Sequence, residues 1–354
     1  MEKTNPKKFS KSYTDLAGDI LRNLSSTEED KNNALRILSN WRASHSYPMH
    51  IFKKRLKSVS EKIDKSALSA QRLKRVPSII KKLNRHYDEN KPTMKLTQMQ
   101  DIAGCRVVMS NVKLANDLYQ EHYLKGDLKH KRVNEKDYII HPKADGYRSI
   151  HLIYRYSSDK GKKDYNGLLV EVQIRSKLQH LWATAVETVD FFTNQAIKSN
   201  EGQKDWANFF KLVSSAFAQF ENCPIVPNTP ENKKELYSLI KKKEEELQVR
   251  IKMKHWTNSI RQFDQLKNKT KAQFFLLELD TIQEKLTITS YSKRNEQTAI
   301  LDYAEAEKRI YGKKEYDVVL VGADTTQDLK KAYPNYFLDT REFLISLDKI
   351  LDYN

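Results

Sequence analysis

The chain has 354 residues and a formal net charge of +17, with 63 Lys/Arg against 46 Asp/Glu and only two cysteines, Cys105 and Cys223. That length accommodates two or three domains with real cores, while two cysteines exclude a disulfide framework and a Cys₄ or Cys₂His₂ zinc site. No apolar run reaches the ~18 residues of a membrane span and no signal peptide is visible, so a cytoplasmic protein is expected.

Charge is unevenly spread. His50 to Arg85 carries twelve Lys/Arg against Glu61 and Asp64, a net +10, whereas Ile300 to Asn354 carries eight against eleven acidic residues, a net −3. A basic front suits a polyanionic partner, and an acidic tail suits docking onto that front. Residues 1–12 read as a loose basic arm. Helical spacing follows at Leu16, Ile20 and Leu24, then at Leu35, Ile37, Leu38 and Trp41. Pro48 falls in the first turn of a further helix carrying Lys53, Lys54, Arg55 and Lys57. On a nucleic acid these four would contact phosphates without reading sequence; a plain solvated helix face looks the same.

In Arg72-x-Lys74-Arg75-x-x-Ser78-x-x-x-Lys82-x-x-Arg85, the last three named residues fall on one helical stripe. Pro77 puts Arg72, Lys74 and Arg75 at or just before the helix N-terminus, where anions are favoured. Converging cations and a hydroxyl suit a triphosphate, although a generic basic helix has the same composition. Val107 to Met109 reads as a buried strand preceded by Asp101 and Gly104. From Asp137 to Arg175 a Pro/Asp/Gly turn at His141–Gly146 is flanked by strand alternation, first at Ile150, Leu152, Tyr154 and Tyr156. In the second run Leu168, Val170, Val172 and Ile174 share one face, so Glu171, Gln173 and Arg175 share the other. That polar face is either the floor of a cleft or a solvated sheet surface.

An amphipathic helix from Ser176 to Phe192, with Leu178, Leu181, Trp182, Ala185 and Val189 facing in, leads to a domain end near Phe220. A proline-rich linker from Cys223 precedes a long charged helix from Asn232 to about Asn268, an intramolecular strut or a coiled coil. A small α/β domain closes the chain, with alternation at Leu286–Tyr291, a helix from Thr298 to Ile310 and a buried strand from Tyr316. The expected order is thus a catalytic α/β (α+β) domain over 1–222 with a mixed β-sheet flanked by helices, a connector over 223–271, and a C-terminal domain over 272–354. P-loop and Gly-Ser nucleotidyltransferase motifs are absent.

Asp-Tyr-Ile-x-x-Pro-Lys-x-x-Gly-Tyr-x-Ser-x-His, followed by Glu-Val-Gln-Ile-Arg, resembles the synthetase domain of the RelA/SpoT family, which moves pyrophosphate from ATP to a ribose 3′-hydroxyl. The resemblance implies that Arg72, Lys74, Ser78, Lys82, Arg85 and Arg106 bind ATP. Asp101, within Asp-x-x-Gly-x-Arg, would be a Mg²⁺ ligand, with Glu171 as general base and second metal contact. Tyr147 would stack on the acceptor base, with His151 and Gln173 positioning these groups. No His-Asp dipeptide is present, so the family's hydrolase domain is not expected.

Near the C-terminus, Tyr333-Pro-Asn-Tyr336 reads as an aromatic turn. Together with the overall layout it resembles the CapRel group of fused toxic small alarmone synthetases, whose pseudo-zinc-finger domain covers the ATP site with a Tyr-x-x-Tyr element. That resemblance implies a self-inhibited toxin acting on the tRNA acceptor end and released by a phage capsid protein bound to the C-terminal domain. A guanosine tetra/pentaphosphate synthetase shares every catalytic residue, and a non-catalytic tRNA- or phage-protein-binding module is the third reading.

Overall fold

Five short segments pair into one mixed sheet in the computed structural model of the chain. The structure describes residues 10–84, 86–88, 91–92, 94–126, 128–196, 200–250, 253, 274–280, 283, 285–310, 313, 316–322 and 341–353. The sheet order is β1 (Leu68–Leu73), β4 (Ala103–Met109), β7 (Leu169–Ser176), β6 (Ile150–Arg155), β5 (Lys131–Asp137); a two-stranded ribbon, β2 (His86–Asp88) with β3 (Lys91–Pro92), stands apart. β4 and β7 run parallel at the centre and every other pairing is antiparallel.

Register then fixes which side chains share a face. Arg72 lies opposite Gly104, Gly104 opposite Glu171, Arg106 opposite Gln173, and Gln173 opposite His151. On the reverse face Val170, Val172 and Ile174 are fully buried, as their alternation requires. Two helices cover that reverse face, α3 (Ser46–Ile63) and α5 (Val112–Leu118). Phe52 of α3 lies 5.5 Å from the Tyr154 ring, and the Cys105 thiol bonds to the Met49 carbonyl at 3.3 Å.

Two helices precede α3: α1 (Lys11–Arg22) and α2 (Glu28–Ser44). The buried face of α1 is Thr14, Ala17, Gly18 and Leu21, not the expected Leu16–Ile20–Leu24 stripe. Leu16 is 53% exposed, and Leu24 lies past the helix end and is 95% exposed. Close approach explains the choice, since a Cβ added to Gly18 would sit 3.0 Å from Leu96 Cβ. The side of α1 that carries Ala17 and Gly18 fits there.

After the sheet come α6 (Lys177–Ala196), α7 (Asn200–Phe220) and α8 (Lys233–Leu247). The expected continuous helix to Asn268 is interrupted, because α8 stops at Leu247 and Gln248 takes a left-handed conformation with φ 53°. The small C-terminal sheet has the order β10 (Tyr316–Gly322), β8 (Phe274–Asp280), β9 (Lys285–Tyr291), packed on a helix from Glu296 to Arg309. The final helix, Arg341–Leu351, leaves that unit and buries Phe343, Leu347 and Ile350 in the α6–α8 core. Among the described residues no helix is long and apolar enough to cross a membrane.

A buried cluster joins the C-terminal unit to the front of the first domain. α4 (Val76–Leu83) begins after Arg75 with no side-chain cap of its own. Glu307, from the 296–309 helix, accepts the Val76 N–H at 3.1 Å and so supplies the missing cap. Its other oxygen pairs with Arg42 at 2.8 Å; Arg42 also donates to the Tyr303 hydroxyl at 2.7 Å and the Lys74 carbonyl at 2.9 Å.

Candidate active site

One cavity opens on the polar face of the sheet, lined by Arg72, Lys74, Arg75, Ser78, Asp101, Gly104, Arg106, Glu171 and Gln173. Three neighbouring strands and the start of α4, which brings Ser78, supply it. β1 brings Arg72, which sits on a strand rather than at the helix start as expected. The β4 end brings Asp101 and Arg106, and β7 brings Glu171 and Gln173. The two carboxylates expected to do the chemistry thus share one cavity and one side of the sheet.

On the α4 side, Asp101 is held between ammonium groups, Lys74 Nζ at 3.1 Å and Lys82 Nζ at 3.0 Å. Burial opposes charge on Asp101, but the two lysines outweigh it and hold the carboxyl below its usual range. Burial also pulls Lys74 below the usual lysine value, against the attraction of Asp101. This half of the site is a set of cations gathered round one ionised carboxylate, which a polyphosphate would compete with.

On the β6 side, five side chains close a ring. Glu171 Oε1 meets His151 Nδ1 at 2.9 Å, and Glu171 Oε2 accepts from Gln173 Nε2 at 2.7 Å. Arg175 Nη2 donates to Gln173 Oε1 at 2.9 Å and to the Tyr147 hydroxyl at 3.1 Å. The Tyr147 hydroxyl meets His151 Nε2 at 2.8 Å. Burial would raise the Glu171 pKa and the Asp101 charge adds to that; the hydrogen bond and charge of His151, with Gln173, outweigh both and keep it ionised.

The turn that delivers Tyr147 is pinned from below. Asp145 accepts the Tyr147 N–H at 2.9 Å, Gly146 has φ +97°, and Ser214 Oγ bonds to the Gly146 carbonyl at 2.6 Å. The buried Arg148 guanidinium bridges Ser214, the Ile139 carbonyl and the Pro224 carbonyl. Cations flank the Tyr147 ring, with Lys143 Nζ 4.8 Å from its centre.

Three groups of expected site residues stand elsewhere. Lys53, Lys54, Arg55 and Lys57 are on α3, across the sheet from the cavity, where Arg55 reaches the His122 carbonyl at 3.5 Å. Arg85, Tyr333 and Tyr336 lie outside the described residues. Arg175 was expected on the polar face of β7 but given no role; its place beside Glu171 and Gln173 in the alternation was the available signal.

A fit for Mg²⁺ can be judged from the donors present. Asp101 is ionised and Glu171 lines the same cavity, which is a donor set for a hard cation shared with phosphate oxygens. Among the described residues no group of three or more His, Cys, Asp or Glu could form a cage by itself.

Residues 71–192 match the family model described as a region found in RelA / SpoT proteins. The chain is 33% identical over 122 residues to GTP pyrophosphokinase YjbM of Bacillus subtilis (strain 168), covering 34% of this chain and 54% of that protein. To GTP pyrophosphokinase YwaC of the same organism it is 31% identical over 128 residues, covering 36% and 59% respectively. The chain therefore spans just over half the length of the curated relatives it matches. Among solved structures, small alarmone synthetase 1 from Bacillus subtilis bound to its product pppGpp is similar at 25% identity and TM-score 0.42, over 50% of this chain and 89% of that one. Residues 71–192, which hold most of the central sheet and of the cleft upon it, are thus similar to the region found in RelA / SpoT proteins.

Proposed function

We propose that the cleft transfers pyrophosphate from ATP to a ribose 3′-hydroxyl. The observation that carries this reading is the placing of Asp101 and Glu171 in one cavity between the Lys74–Lys82 cations and the Tyr147–His151 group. The 3′-oxygen attacks the β-phosphorus as the bond to the bridging α–β oxygen breaks, and AMP leaves. Glu171 takes the hydroxyl proton, and Arg72, Lys74, Lys82 and Arg106 offset the negative charge on the phosphates. Mg²⁺ held by Asp101, with Glu171 in reach, would supply further charge neutralisation when bound. An arriving triphosphate draws Lys74 and Lys82 from Asp101 and leaves that carboxylate free for the cation.

The acceptor in this reading is the 3′-terminal adenosine of tRNA, with the C-terminal unit as an intramolecular brake and a phage protein, such as capsid, as its release. Support for the brake comes from Glu307, Tyr303 and Arg42, which anchor that unit at the N-terminus of α4, beside the cations of the cleft. Release of a closed state into a mostly open one requires a trigger with ~5 kcal/mol of preference for the open form. The alternative acceptor, GDP or GTP, is favoured by the relatives' names as GTP pyrophosphokinases.

Full-length protein and its Tyr336→Ala variant, given γ-labelled ATP with tRNA, GDP or GTP, separate these readings. Label is expected on tRNA, and faster with the variant; label on guanine nucleotide alone assigns the alternative. Equal rates for the two proteins would remove Tyr336 from the brake. Glu171→Gln is expected to lose ~10²–10⁴-fold in rate while ATP binding persists. A toxic Glu171→Gln protein would instead support a non-catalytic binding module.

A further inference from the structure

Along the Gln173 branch of the ring around Glu171, hydrogen bonding has only one consistent direction. Arg175 has donors alone, so the Gln173 atom facing it must be the carbonyl Oε1. The Gln173 amide N–H₂ then has to point to Glu171 Oε2, which accepts it at 2.7 Å. The Tyr147 oxygen receives the second Arg175 N–H and meets His151 Nε2, and the other ring nitrogen of His151, Nδ1, meets Glu171 Oε1. Both branches start at a single nitrogen, Arg175 Nη2, and both end on the carboxylate of Glu171.

Arg175 is only 4% exposed and does not line the ATP-side cavity. A guanidinium at this depth is expensive to bury unless its bonds are specific, and here it also lies 5.6 Å from the centre of the Tyr147 ring. We propose that Arg175 is a positioning residue for the transfer reaction: it locks the amide of Gln173 and the hydroxyl of Tyr147, and through them fixes Glu171 and the acceptor-side surface. The inference rests on Glu171 acting as the base.

Its test is a double-mutant cycle on the full-length protein, with residues 175 and 173 as corners and both transfer kinetics and urea unfolding as readouts. Arg175→Met is expected to lower kcat by ~10²-fold, the scale of a small misplacement of a reacting group. KM for ATP should stay unchanged, because the ATP-side cations stand on β1, α4 and β4. Gln173→Met should do the same, and the double variant should lose no more than either single one, since both break one chain of contacts. Gln173→Glu keeps the shape and strengthens the pair with Arg175, yet puts an acceptor against Glu171. It should lose at least as much activity as Gln173→Met.

Losses that simply multiply in the double variant, or an active Gln173→Glu, would overturn the positioning role. So would a raised KM for ATP with kcat intact. These results would leave the pyrophosphokinase reading standing. Absence of transfer by both the parent protein and its Tyr336→Ala variant would instead sink that reading. The unfolding cycle would then judge the lock by itself, additive stabilities at 175 and 173 counting against it.

Discussion

At the scale of single residues, carboxylates that accept several hydrogen bonds set how this protein responds to acid. Asp64 is the plainest case: Oδ1 accepts the Ser66 N–H and hydroxyl at 2.9 and 2.7 Å, and Oδ2 accepts both groups of Ser110 at 2.7 Å. Burial alone would raise its pKa, but these four bonds favour the charged form and hold it below the model-peptide value of 3.8. The folded-state value lies beneath the unfolded one, so the stabilisation is present above the unfolded value and is lost as pH falls through the folded one. Asp64→Asn should therefore cost ~2 kcal/mol at pH 7 and progressively less in acid. Urea unfolding of both proteins from pH 7 down to pH 3 checks this, and a gap constant with pH would contradict it.

At the scale of elements, the turn before β6 shows how a loop is held in place by the helices behind it. Gly146 sits at φ +97°, and a Cβ added there would stand 2.8 Å from Ser214 Cβ and 3.0 Å from Trp182 Cζ2. Both obstacles belong to α6 and α7, so the helical layer dictates the turn and through it the position of Tyr147. Gly146→Ala is expected to lower stability by ~1–3 kcal/mol from backbone strain, with the clash adding to it. Thermal melts measure that, and transfer rates should fall with it as Tyr147 shifts. A variant matching the parent in both would show that the turn can relax.

At the scale of the whole molecule, the C-terminal segments are built into the first domain. Phe343, Leu347 and Ile350 complete the α6–α8 core, and Glu307 caps α4 while neutralising Arg42. The Arg42–Glu307 side chains are 5% and 7% exposed, so removing one leaves a buried charge without its partner. Glu307→Ala should destabilise by ~3–5 kcal/mol, whereas the paired change Arg42→Met with Glu307→Leu should recover much of that loss. Denaturant unfolding of the three variants tests the contrast; a paired variant as unstable as Glu307→Ala would refute it. Because α4 carries Ser78 and Lys82, the single variant should also weaken ATP binding.

Much of the site was legible from local pattern. Period-two alternation in β7 put Glu171, Gln173 and Arg175 on one face without knowledge of any neighbour, because strand geometry sends successive side chains to opposite sides. Three features escaped: the narrow face that α1 buries, the break at Gln248 and the strand carrying Arg72. Each depends on what packs alongside or on a single backbone conformation, and apolar spacing carries neither. Periodicity within an element follows from backbone geometry, so the chain by itself determined the polar face of the sheet and the cationic run beside it. Which elements meet follows from burial summed over distant segments. Only the tertiary structure therefore decided that Arg175 would close a ring with Tyr147, and that Glu307 would cap a helix 231 residues earlier in the chain.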